Sequence, residues 1–91
     1  MDDEYYLVGF VRRNSVEEVR VALKESRGEA FIDVRLFVDV FGGRPENRQP
    51  TRKGISLRTR ALPDLINLLK RAEAEARRRG LIGGDGGGTR G

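Results

Sequence analysis

Hydrophobic and polar residues alternate along the first two thirds of the chain, and the period then lengthens. Between residues 30 and 41, Ile32, Val34, Leu36, Val38 and Val40 fall on one side, and Phe31, Asp33, Arg35, Phe37, Asp39 and Phe41 on the other. A period of two predicts a strand whose aliphatic side is a core face. Upstream, Val19, Val21 and Leu23 alternate with Arg20, Ala22 and Lys24, which predicts a strand over 17–25 with one apolar and one positive face. The run YYLVGFVRR, 5–13, is rich in aromatic and β-branched residues and predicts a first strand. Asn14-Ser15 and Ser26-Arg27-Gly28 read as turns, the second with Gly28 at positive φ. The connection GGRPENRQPT, 42–51, holds two glycines and two prolines and predicts no regular structure. A short fourth strand follows at 52–57, with Ile55 and Leu57 on one face.

From about Thr59 to Arg79 the spacing becomes helical. Leu62, Leu65, Ile66, Leu69, Ala72 and Ala76 form an apolar stripe. Thr59 is the expected N-cap, Pro63 fits the first turn, and Gly80 is the stop signal. Arg77, Arg78 and Arg79 complement the helix dipole, a structural reading preferred over a binding one. The order β-β-β-β-α with short turns predicts an α+β fold: a four-stranded antiparallel sheet and one C-terminal helix. The helix stripe, with Leu62, Leu65, Ile66 and Leu69 as its main positions, can cover a sheet face or pair with its copy in a homodimer. A single small domain over 5–82 is expected, with an acidic tail at 1–4 and a disordered glycine-rich tail at 83–91.

Charge adds a partner class. The chain carries 18 Lys plus Arg against 14 Asp plus Glu, a net charge of +4. Between Gly42 and Arg60 stand six cations (Arg44, Arg48, Arg52, Lys53, Arg58 and Arg60) and one acid, Glu46. Such a local excess is the electrostatic footprint of a polyanion. No apolar run approaches the roughly 20 residues of a membrane span. The acidic start resembles neither a signal nor a transit peptide. The expectation is a soluble intracellular protein without membrane contact, cytoplasmic and nucleoid-associated if bacterial, nuclear if eukaryotic.

Catalytic chemistry finds no support. The chain has no histidine and no cysteine, which removes triads, thiolate nucleophiles and the commonest metal ligands. Asp33 and Asp39 share a strand face but stand about 20 Å apart by strand rise, too far for one metal or a carboxylate pair. The glycine clusters match neither a P-loop nor a dinucleotide fingerprint. No enzyme activity, cofactor or metal is expected.

The string Arg52-Lys53-Gly54-Ile55-Ser56-Leu57 before a helix, with Arg27-Gly28 at a hairpin and Phe31-Ile32-Asp33-Val34-Arg35 upstream, resembles the positive cofactor 4 family of transcriptional coactivators. The resemblance spans roughly Tyr5 to Ala72. It implies a strongly curved four-stranded sheet, a homodimer with packed helices, and binding of single-stranded or melted DNA with little sequence preference. Carried over by position, the contacts are Lys24, Arg27, Arg35, Arg52, Lys53 and Gly54. The residue types suit that role: cations track the backbone, and a glycine admits a phosphate close to the main chain. For Gly54 a β-bulge is the structural alternative.

Two departures stand out. Ser26 occupies a turn position that is often aromatic in the family, and Val38 one that is often tryptophan. Stacking then falls to Phe37 or Phe41, each equally readable as packing, whereas Phe31 is read as packing. The longer connection brings Arg44 and Arg48, expected to compensate by phosphate contact. The expected function is sequence-independent single-strand DNA binding in transcription or DNA maintenance, with the transcription machinery as a further partner. RNA is the alternative ligand, and a dimeric protein-interaction adaptor with a decayed site the alternative function.

Overall fold

The computed structural model describes residues 4–40 and 45–83. Residues 1–3 of the acidic tail and 84–91 of the glycine-rich tail lie outside them. The sheet lies within residues 1–59 and the helix within 60–91, each a compact unit.

Four strands form one antiparallel sheet in sequence order: β1 (Glu4–Arg12), β2 (Glu17–Ser26), β3 (Glu29–Asp39) and β4 (Arg48–Arg58). Glu4, expected in the tail, opens β1 opposite Glu25. Asn14 closes the first turn, its Oδ1 accepting from the Val16 and Glu17 amides at 2.9 Å each. The second turn is tighter. Arg27 (φ 55°) and Gly28 (φ 79°) are both left-handed, the geometry of a two-residue hairpin matched to strand twist.

Register decides which side chains share a face, since residues directly opposite point the same way. Val19, Val21 and Leu23 stand opposite Leu36, Val34 and Ile32, so the aliphatic sides of β2 and β3 coincide. Ile32 and Leu36 are buried there. The opposite face collects Glu18, Arg20 and Lys24 of β2 with Asp33 and Arg35 of β3, and it buries Glu18, Ala22, Asp33 and Phe37. The expected one-sided core is therefore two-sided.

The expectation of no regular structure over 42–51 is corrected. A 3-10 turn spans Pro45–Asn47, and β4 begins at Arg48, opposite Asp39. Pro50 sits within this strand opposite Phe37. β4 is an edge strand, where a missing N–H is tolerated.

A 3-10 turn, Thr59–Ala61, leads into α1 (Leu62–Arg78). Thr59 is not the N-cap. Ala61 holds that position without a side-chain cap bond, and Pro63 in the first turn removes one amide that a cap would satisfy. At the other end Gly80 (φ 76°) closes the helix, its amide donating to Arg77 O and that of Leu81 to Ala76 O. Arg77 pairs with Glu73, and Arg78 and Arg79 with Glu75, so the arginine run is engaged within the helix. Among the described residues no helix is long and apolar enough to cross a membrane.

Candidate nucleic-acid interface

Register puts Lys24, Arg35 and Arg48 on the charged face, Arg27 at the hairpin tip, and Arg52 and Lys53 in a bulge of β4, and their states differ. β4 explains the first group. Arg35 stands opposite Gly54 and Phe37 opposite Pro50, so Thr51, Arg52 and Lys53 together face Leu36. This is a bulge of two extra residues on an edge strand. The Thr51 hydroxyl donates to Leu36 O at 2.9 Å and accepts from the Lys53 amide at 3.1 Å, which pins the bulge at its base. Arg52 and Lys53 are left exposed, with no acidic partner among the described residues.

Gly54 returns the chain to register. A Cβ there would lie 2.5 Å from Val34 O and 2.8 Å from Arg35 Cα, so only glycine lets β4 approach β3 this closely. The motif thus divides into two presented cations, one glycine set by backbone packing, and a strand segment.

Lys24 and Arg27 form the second group. Lys24 is half-buried on the charged face, opposite Tyr5 and Phe31. Arg27 is exposed at the hairpin tip. Neither has an acidic partner among the described residues.

Arg35 differs. Its Nε and Nη2 donate to the two Asp33 carboxylate oxygens at 3.2 and 3.0 Å, and Nη1 donates to Thr51 O at 3.2 Å. The hydrogen bond to Asp33 raises its pKa, and burial opposes the rise. The fork binds β3 to the bulge, and its charge is already matched. Placed by position as a strand contact, Arg35 is already engaged, by Asp33 and by the Thr51 carbonyl at the base of the bulge.

Arg48 is a clearer correction. Expected to reach phosphate from a loose connection, it is 6% exposed. Nη1 donates to Glu18 at 2.6 Å and Nη2 to Ser15 O at 3.0 Å, leaving Nε without a partner among the described residues. Glu18 also accepts from Arg20 at 2.5 Å. Burial of a carboxylate demands such cationic partners.

Phe37 is corrected too. It is 9% exposed, and the Arg20 guanidinium lies 4.3 Å from its ring centroid, so its face is occupied. Phe41 and Arg44 lie outside the described residues. Glu18 and Thr51 went unnoticed in the sequence, since Glu18 meets Arg48, and Thr51 meets Leu36 and Arg35, only across strands. In the helix, Leu62 and Leu65 are half-buried, whereas Ile66 and Leu69 are exposed, Leu69 at 60%.

No protein-family model matches the chain, and no curated protein matches it. Two solved structures are similar, both of BPSL1147, a PC4 homolog from Burkholderia pseudomallei. The tetragonal form has a TM-score of 0.66 and 30% sequence identity, covering 77% of this chain and 98% of that one. The orthorhombic form has the same TM-score and identity, covering 80% and 95%. With that identity over almost the whole of the relative, the same strand order and the basic bulge before the helix, the chain belongs to the PC4 (positive cofactor 4) family, with its nucleic-acid-binding fold.

Proposed function

We propose that the protein binds single-stranded DNA through its backbone phosphates, largely without regard to sequence, as a homodimer acting in transcription or DNA maintenance. It acts as a binding protein and not as an enzyme. The observation that carries this reading is the Arg52–Lys53 pair, lifted out of an edge strand by a braced bulge and free of acidic partners among the described residues. Phosphate binding needs cations that are not already neutralised, because a paired arginine must first lose its carboxylate. Lys24 and Arg27 meet the same condition on β2 and its hairpin. The exposed Ile66 and Leu69 on α1 support the dimer, and light scattering that reports a monomer at micromolar concentration would remove it.

The test is a titration of labelled oligonucleotide against salt. Single-stranded DNA affinity falls steeply with salt, by about 0.7 in log–log slope for each phosphate neutralised. Tighter binding to duplex, or indifference to salt, overturns the reading. An RNA strand that outcompetes DNA of the same sequence transfers it to RNA. Only feeble, nonspecific affinity favours the protein-interaction adaptor.

A further inference from the structure

The hairpin lacks the aromatic its family often places in the turn, yet the charged face carries aromatics elsewhere. Register aligns Tyr5, Lys24, Phe31 and Arg58 in one row across all four strands. A hollow of about 360 Å³ opens at this row, lined by Tyr5, Lys24, Ser26, Phe31 and Ser56, and by two acids, Glu4 and Glu25, neither of which pairs with Lys24. Tyr5 is 53% exposed. Phe31, expected only to pack, is half-buried, with the Arg58 guanidinium 5.6 Å from its ring centroid.

We infer that this hollow is a subsite for one unpaired nucleobase, with Tyr5 and Phe31 as its stacking surfaces and Lys24 holding the adjoining phosphate. The chemistry fits each part. A base offers a flat π-face to an aromatic ring whatever its identity, so the subsite serves binding without sequence preference. The half-buried Lys24 ammonium has no acidic partner among the described residues, which leaves its charge for an anion. The Ser26 and Ser56 side chains at the hollow offer donors and acceptors to a base edge. Arg27, the next residue along the hairpin, adds a cation where the strand leaves the hollow. Stacking is thereby moved from the turn, where Ser26 cannot supply it, to the strands beside it.

This inference rests on the single-strand reading, and its test separates the two. The chain has no tryptophan and two tyrosines, Tyr5 and Tyr6. In a Tyr6→Phe variant, Tyr5 is the one tyrosine emitter. Titration with an unlabelled deoxythymidine oligonucleotide quenches that emission, saturating together with binding measured by anisotropy of a labelled copy. A Tyr5→Leu, Phe31→Leu variant, checked for fold by circular dichroism, binds about 5- to 150-fold more weakly, the range that stacking of one base spans. Its salt slope is unchanged, because no phosphate contact is lost. Salt-dependent binding in which Tyr5 emission stays constant at saturation overturns the subsite and leaves the single-strand reading standing. An absence of strand binding by the unaltered protein overturns both.

Discussion

Arg48 Nη1 donates to the Glu18 carboxylate across 2.6 Å, thirty residues away in the chain, with both side chains 3% exposed. The pair joins the start of β4 to the start of β2. Arg48→Ala leaves Glu18 buried with one cation fewer, at a cost of about 3–5 kcal/mol in stability. Arg48→Met, which fills the space without a charge, does not rescue it, because the carboxylate is still underpaired. Chemical denaturation measures both. Strand affinity per folded molecule stays the same, which distinguishes Arg48 from a phosphate contact.

Arg35 and the Arg52–Lys53 pair separate by their salt response. Arg52→Ala with Lys53→Ala lowers the log–log salt slope by about 1.4, that is about 0.7 for each lost contact. Arg35→Ala removes the brace to Asp33 and Thr51 and leaves a buried carboxylate unpaired. Its main effect is a loss of stability of about 1–3 kcal/mol with little change of slope. A slope change as large as that of the double variant would show Arg35 on phosphate directly.

Gly54→Ala puts a methyl group 2.5 Å from Val34 O, and the obstacle is backbone, which cannot swing aside. The strands must part or the bulge must shift, costing about 1–3 kcal/mol. Thermal unfolding reports the loss. Strand binding weakens as well, since Arg52 and Lys53 ride on the bulge.

Arg27 occupies a left-handed position (φ 55°) that an arginine adopts at a cost of roughly 1 kcal/mol. Arg27→Asn makes an Asn-Gly hairpin, the favoured pair for this turn. The variant unfolds at a higher temperature and binds a strand less tightly. Greater stability with undiminished binding would show that Arg27 sits at the tip without a role there.

Glu75 accepts hydrogen bonds from Arg78 and Arg79, which hold its carboxyl below the ordinary value of 4.5. A lowered carboxylate pKa favours the folded form at neutral pH, and that contribution fades as pH falls from 4.5 through the folded value. Helicity at the end of α1 therefore declines on acidification in that window. Glu75→Gln lowers helicity at neutral pH and removes this part of the acid response, as followed by circular dichroism.

Much of the frame is legible in the residues. The alternation in β2 and β3 has a single solution for which side is aliphatic, since a slip of one residue inverts every side chain. Pro63 and Gly80 mark helix ends by local chemistry alone. The last residues of β4 were legible, whereas its first four, Arg48 to Thr51, were not. Two prolines and two glycines speak for a loop locally, but pairing with β3 overrides that preference once a proline falls on an edge. The site was half legible for a related reason. A count of charges finds six cations between Gly42 and Arg60 without showing which of them meet acids on other strands.

By itself the sequence determined the order of the elements, the aliphatic side of the central strands, the hairpin at Arg27-Gly28 and the basic motif before the helix. These depend on side-chain period and on backbone preferences of one or two residues. Tertiary structure decided which arginines remain available. Alternation along one strand sets Asp33 beside Arg35 and Glu18 beside Arg20, and the packing of β4 then brought Thr51 to Arg35 and Arg48 to Glu18, so Arg35 and Arg48 are both engaged within the protein. Register also aligned Tyr5 with Lys24 and Phe31 from three strands, a juxtaposition with no counterpart along the chain. Charge and aromatic content are written residue by residue, whereas pairing and exposure depend on residues brought together from distant parts of the chain.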